Sequence, residues 1–248
     1  MIAWIRSVVI LVLAWSVSPN PGLCNTLDST WVRLELDLRG RWQQGNLNQI
    51  GIQPNLRFQW GNRRYLVDLQ SNYQLLKASD FVLIDDFWTQ AKLTLHRERS
   101  IYPMVAMNLG YALSYRIDHS FLLGVGMGSQ LWRRPERSSL EFNVFAGYLN
   151  FDFAGEVAQS SAAIGSLVEL AVPLGKIGHL VWQAQSYHPL DKHNFWGINS
   201  ATQLNCPINK QFSFQINYQF IFNNQTVMDI ERINTLMLFG FRYLIISK

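Results

Sequence analysis

From Trp31 onward the chain changes character at almost every residue. Over 32–42, Val32, Leu34, Leu36, Leu38, Gly40 and Trp42 fall on one side, and Arg33, Glu35, Asp37, Arg39 and Arg41 on the other. "QIGIQPNLRFQW" (49–60) and "QFSFQINYQF" (211–220) repeat the pattern, with Ile, Leu and Phe against Gln, Asn, Ser and Arg. Alternation with period two is the mark of a β-strand, because a helix of period 3.6 would scatter these residues around its axis. Followed along the chain, it predicts strands over 31–42, 49–60, 64–75, 86–96, 102–115, 120–132, 138–149, 162–173, 178–188, 194–206, 211–222 and 232–245. Turn signals separate them: "GNRR" (61–64), "RIDH" (116–119), "GKIG" (175–178) and "PINK" (207–210). The stretch 150–165 reads either as a loop or as a continued strand.

Two hairpins allow a register to be written down. Facing Trp60 with Tyr65 pairs Phe58 with Val67, Leu56 with Leu69 and Ile52 with Tyr73. Around 207–211 the corresponding pairs are Leu204 with Phe214, Thr202 with Ile216, Ile198 with Phe220 and Trp196 with Phe222. Every pairing keeps apolar residues on one face, which a slip by one residue would destroy.

The strands are too long for an ordinary soluble sandwich, whose strands run about 5–6 residues. A membrane-crossing barrel strand needs about 9–11 residues, apolar side to lipid and polar side to the interior, with aromatic girdles at both interfaces. Trp42, Trp60, Tyr65, Tyr73, Trp196 and Phe222 sit at strand ends and are the expected interface aromatics. From Tyr65 to Tyr73 is roughly 21 Å along the membrane normal at about 3.4 Å per residue and a tilt of about 40°. The fold expected is all-β: a transmembrane antiparallel up-and-down β-barrel of about 12 strands. A soluble β-protein is the competing reading.

Composition agrees. Charged residues are 15% of the chain, against about 25% in ordinary globular domains, and Asn and Gln take up the difference. The net charge of +4 comes from dispersed basic residues rather than a run or patch, so no nucleic-acid partner is expected. Arg6, the apolar "SVVILVLAWSV" (7–17) and the breakers of "SPNPGLC" read as a signal peptide over 1–24, followed by one barrel domain over 25–248. That leaves Cys206 as the single cysteine, so no internal disulfide is available. Export without disulfides fits the outer membrane of a Gram-negative bacterium. Its lipids and lipopolysaccharide, and the machinery that assembles barrels, are the expected partners.

Parity then assigns an interior. It receives Arg33, Arg39, Arg41, Arg57, Lys92 and Arg242 against Glu35, Asp37, Asp68, Glu141 and Glu169, a near balance that argues against strong ion selectivity. Inward Gln215 is expected to tolerate substitution by Arg far better than Leu36. "GVGMG" (124–128) puts three glycines on the inward face, leaving room for bulky neighbours, and with no helix following it is no phosphate loop. A lipid hydrolase of the outer membrane is the alternative class, but no His has a Ser two residues on, and the adjacent His119 and Ser120 point to opposite faces. Asp80, Asp85 and Asp86 near an outer loop, and His188 with His193, give no convincing metal set. No catalytic residues, metal or cofactor are expected. The functional reading is a narrow, weakly selective pore for small polar solutes or ions, or a structural protein of the envelope.

"RGRWQQGNLNQ" (39–49), "GNRRYLVDLQSNYQL" (61–75), "DDFWTQAKL" (85–93) and "FLLGVGMGSQL" (121–131) resemble the salt-induced outer-membrane-protein-like barrels of Gram-negative bacteria, a group of unknown function. The likeness covers about residues 31–150 well and the rest loosely. It implies the same barrel and a tie to osmotic or salt stress. One departure is the end, "FGFRYLIISK", where outer-membrane barrels commonly finish on an aromatic residue read by the assembly machinery.

Overall fold

The computed structural model describes residues 30–43, 49–78, 81–133, 138–154, 158–191, 196–224 and 232–247. The expected signal peptide, Asp80 and His193 lie outside them. Twelve strands close into one antiparallel barrel in which each strand pairs with its sequence neighbours and the first with the last. They are β1 (Trp31–Gln43), β2 (Gln49–Gly61), β3 (Tyr65–Ala78), β4 (Phe81–Leu95), β5 (Ile101–Ala112) and β6 (Ile117–Arg133), then β7 (Ser139–Phe153), β8 (Gln159–Pro173), β9 (His179–Pro189), β10 (Gly197–Pro207), β11 (Phe212–Asn223) and β12 (Ile233–Ser247).

The boundaries differ from the sequence reading where strands run on into apparent loops. β3 and β4 extend to Ala78 and from Phe81, so Asp85 joins Asp86 as a strand residue. β5 stops at Ala112, because Leu113–Tyr115 form a 3-10 turn closed by Arg116 in the left-handed region. The stretch 150–165 divides into the end of β7 and the start of β8.

The register differs too, by two residues in both hairpins. Trp60 opposes Val67 and Phe58 opposes Leu69; Leu204 opposes Ile216 and Ile198 opposes Phe222. The cause is the same asparagine turn twice. Asn62 Oδ1 accepts the backbone N–H of Arg64 and Tyr65, and Asn209 Oδ1 accepts those of Gln211 and Phe212. Each side chain tightens its loop, an Asx-type turn, and draws the pairing onward by one residue per strand. A shift of two preserves which face each residue occupies. Pro54, without an N–H, interrupts the β2–β3 ladder, which passes from Ile52↔Leu75 to Asn55↔Asn72.

Burial is inverted relative to a soluble protein. Leu38 is 61% exposed while its neighbour Asp37 is 3% exposed. Ile50, Val125, Met127, Phe239 and Phe241 are likewise exposed, whereas Glu35, Arg39, Gln53, Asn55, Asp68 and Lys92 are buried. The apolar face looks outward and the polar face fills the barrel.

Candidate functional site: the barrel interior

All eleven charged positions assigned by parity occupy inward-facing register positions. They form two groups. At mid-barrel, Asp37 is the centre of a knot: its carboxylate accepts Arg39 Nη2 at 2.8 Å, Arg242 Nε at 2.8 Å, Asn55 Nδ2 at 3.0 Å and Gln215 Nε2 at 3.2 Å. Gln215, 0% exposed, also donates to Asn205 at 2.8 Å and accepts Arg39 Nε at 3.3 Å. Glu35 beside it takes Arg33 at 2.5 Å and Arg242 at 3.2 Å.

Nearer the end at which β1 begins and β12 ends, hereafter the terminal end, lies a second group. Arg57 forks onto Asp68 at 3.0 and 2.5 Å, and Gln59 donates to the same carboxylate at 2.8 Å. Arg57 Nη2 also reaches Glu169 Oε1 at 3.7 Å. β2 and β8 stand six strands apart in a ring of twelve, so this pair crosses the full width of the barrel. Lys92 from β4 bonds Glu169 and lies 4.0 Å from Glu141, which Arg97 approaches at 3.7 Å. The cavity beside this belt, between Arg57, Lys92, Leu167 and Glu169, measures about 10 Å³, about enough for one water. A larger apolar groove of about 510 Å³, along Leu36, Leu38, Pro54, Leu56, Phe241 and Tyr243, crosses the outer wall instead.

Two charged participants escaped the parity argument. Arg97 lies in the β4–β5 turn, which parity does not reach. Asp86, placed by the sequence near an outer loop, is buried on β4 and accepts Ser114 N at 3.1 Å and Ser114 Oγ at 2.5 Å. Both additions leave cations and carboxylates within one of each other. Arg41 is exposed on the last turn of the inward row.

The interior is not polar throughout. Met104, Ala106, Leu122, Phe145, Leu149, Phe151, Phe153 and Ala163 form one buried apolar cluster on β5–β8, with Trp88, Tyr115 and Tyr187 against it. Its β7 residues share parity with Glu141, so the signal was present there; on β7 both faces are apolar, and alternation alone does not reveal that. The inward glycines make the room expected of them. A Cβ would stand 2.7 Å from Phe145 Cδ2 at Gly124, 2.2 Å from Phe145 Cζ at Gly165, and 2.1 Å from Tyr102 Cε2 at Gly128.

The aromatic positions other than Tyr73, which lies inside β3 because that strand runs on to Ala78, fall toward the two ends. Trp60 and Tyr65 are in ring contact at 5.2 Å at the terminal end, as are Phe212 and Tyr243 at 4.8 Å. Trp196 and Phe222 meet at 5.1 Å at the far end, where His188 stacks on Trp196 at 5.2 Å. Tyr73 faces outward on β3 beside the groove. The Trp42 backbone opposes Ile50, and its side chain is outside the described set. Among the described residues no cluster of three metal-ligating side chains occurs.

Comparison with solved structures finds the same fold in a porin. The NanC porin is 12% identical with a TM-score of 0.51, covering 86% of this chain and 98% of that one. An outer membrane channel from Pseudomonas putida F1 is 10% identical with a TM-score of 0.49, over 93% of this chain and 100% of that one. The translocator domain of the autotransporter NalP from Neisseria meningitidis is 10% identical with a TM-score of 0.43, over 97% and 95%. At 12% identity the likeness to the NanC porin is one of fold. No curated protein matches the chain in sequence. The sequence model of one family, described as "Protein of unknown function, DUF481", matches residues 33–244.

Proposed function

Given that the chain belongs to the DUF481 family, whose description leaves function open, we propose from its geometry that it is an integral outer-membrane barrel acting as a narrow, weakly selective pore for small polar solutes or ions. The inverted burial supports the membrane setting: the exposed leucines and phenylalanines of the outer wall need an apolar solvent. In this reading the termini are periplasmic, the aromatic pairs mark the two interfaces, and lipids, lipopolysaccharide and the assembly machinery are the partners. Weak selectivity follows from the charge balance, since a strongly selective pore carries one dominant sign.

The observation that carries the proposal is the belt of Arg57, Asp68, Lys92, Glu141 and Glu169 across the interior. It sets the constriction, so conduction is small and limited by these side chains. The test is planar-bilayer recording of the wild type and of Lys92→Met/Glu169→Leu. The double variant removes the bridge while leaving Arg57 on Asp68 and Arg97 on Glu141. Small, weakly selective wild-type currents that grow in the variant support the pore. Absence of current in both overturns it in favour of a structural envelope role, the one that fits a tie to osmotic stress. Hydrolysis of phospholipid or lipopolysaccharide acyl chains, lost on changing one His or Ser, would replace it with the hydrolase reading.

A further inference from the structure

At the far end β5 hands over to β6 through Leu113–Tyr115, the 3-10 turn closed by Arg116 at a φ of 54°. The turn folds inward. Asp86, a buried residue of β4 on the same face as Lys92, accepts the N–H of Leu113 and Ser114 and the Ser114 hydroxyl. Tyr115 packs against the apolar cluster of β5–β8 and hydrogen-bonds Asn234. Asn234 stands on β12 in the inward row of Arg242. β12 is five strands from β5 and six from β6 in the ring of twelve, so this bond reaches across the mouth.

Turns that only reverse the chain are fastened within themselves, as Asn62 and Asn209 fasten theirs. This one is held by two other strands. Among the described residues no basic side chain pairs with Asp86. A buried carboxylate so placed is costly unless hydrogen bonds satisfy it, and here the turn supplies them. The ladder is irregular on both sides. Pairing of β5 with β6 shifts between Gly110 and Ala112, and that of β6 with β7 between Ile117 and His119. Between those two breaks the segment is held by polar contacts that water can replace and by one aromatic ring. Beneath it Ala112, Ile117 and Ser120 are 0%, 4% and 8% exposed, so the far mouth is sealed on this side.

We infer that Leu113–Arg116 is a strap across the far mouth, clasped by Asp86 on one side and Asn234 on the other, and that its release opens the interior. The strap's role rests on the pore reading, to which it adds a gate: the charged belt limits what passes, and the strap sets when. Closure is measurable without current. In the full chain with Cys24→Ser and Cys206→Ser, the inward Ser120→Cys places a thiol beneath the strap. Folded barrel in detergent is treated with a charged methanethiosulfonate, and the heat-dependent gel shift verifies folding of each sample. Asp86→Ala/Tyr115→Phe removes both clasps and keeps the ring. The expected result is slow labelling with the strap clasped and labelling at least about tenfold faster on release, the factor that one hydrogen bond to an ionised group contributes against a local opening. Asp86→Asn alone, which leaves one acceptor, falls between. Asn209→Ala, at the other end of the barrel, leaves the rate unchanged. Equal rates with the strap clasped and released, whether fast or slow, overturn the inference. So does a rise of the same size in Asn209→Ala, which would report general loosening. A barrel that conducts nothing leaves this test intact, so the two readings fail separately.

Discussion

The two walls of the interior obey the same register rule and are filled by opposite means. On β9–β12 and β1–β4 inward positions carry amides and charges tied into networks such as the Asp37 knot. On β5–β8 they carry Phe145, Phe151, Leu149 and glycines that make room for rings. A closed barrel of this size has to fill its inside with something, and either hydrogen bonding or packing will do it. The networked wall fails when a partner is removed, because the remaining charges stay buried and uncompensated. The packed wall fails when volume is added, because rings bounded by backbone cannot yield.

The largest expected effect is on the networked wall. Asp37→Ala strands Arg39 and leaves Arg242 with Glu35 as its one carboxylate partner, both guanidiniums being mostly buried, and should cost about 3–5 kcal/mol in a denaturant titration followed by tryptophan fluorescence. A loss no larger than that of an exposed substitution would mean that water enters the knot freely. Next, Leu36→Arg puts a charge on the outward face one residue away and should cost about 2–4 kcal/mol near the bilayer midplane. The cost should shrink in detergent micelles, whereas that of Asp37→Ala should not, which separates the two faces of one strand. Third, Gly165→Ala on the packed wall should cost about 1–3 kcal/mol by overpacking. Phe145→Leu in the same chain should recover much of it, and failure to recover would show that the ring is not the obstacle. The smallest effect is outside both walls: Asn209→Ala removes two turn hydrogen bonds and should cost about 1 kcal/mol, with the barrel otherwise intact.

Strand number, strand faces and the inward charges were legible because alternation survives small errors of position. Register was not: the side chains of Asn62 and Asn209 decide it by bonding to backbone two and three residues on, and hydropathy contains no trace of that. Nor was Gln215. As an inward amide it reads as a tolerant site, yet it is sealed among Asp37, Arg39 and Asn205, so Gln215→Arg would add a third guanidinium to a closed knot. The apolar cluster was hidden for another reason. Where β7 is apolar on both faces, the pattern identifies a strand but not what its inward side packs against, and that depends on β5, β6 and β8 arriving alongside.

The exposure of Leu38 beside the burial of Asp37 has a consequence for how this chain reaches its final form. In water an ordinary domain condenses because its greasy residues seek each other, and its inside appears as a by-product of that condensation. Here collapse in an aqueous compartment would gather the very residues that belong on the outside and leave the Arg and Asp of the knot scattered at the rim. The chain carries only half of its folding instruction. In the proposed membrane setting the other half is a slab of hydrocarbon about 25 Å tall, which turns the molecule right side out. If the chain is exported as proposed, transit across an aqueous space would call for an escort that keeps the strands apart, and refolding yield should track the thickness of the host bilayer more closely than temperature or salt.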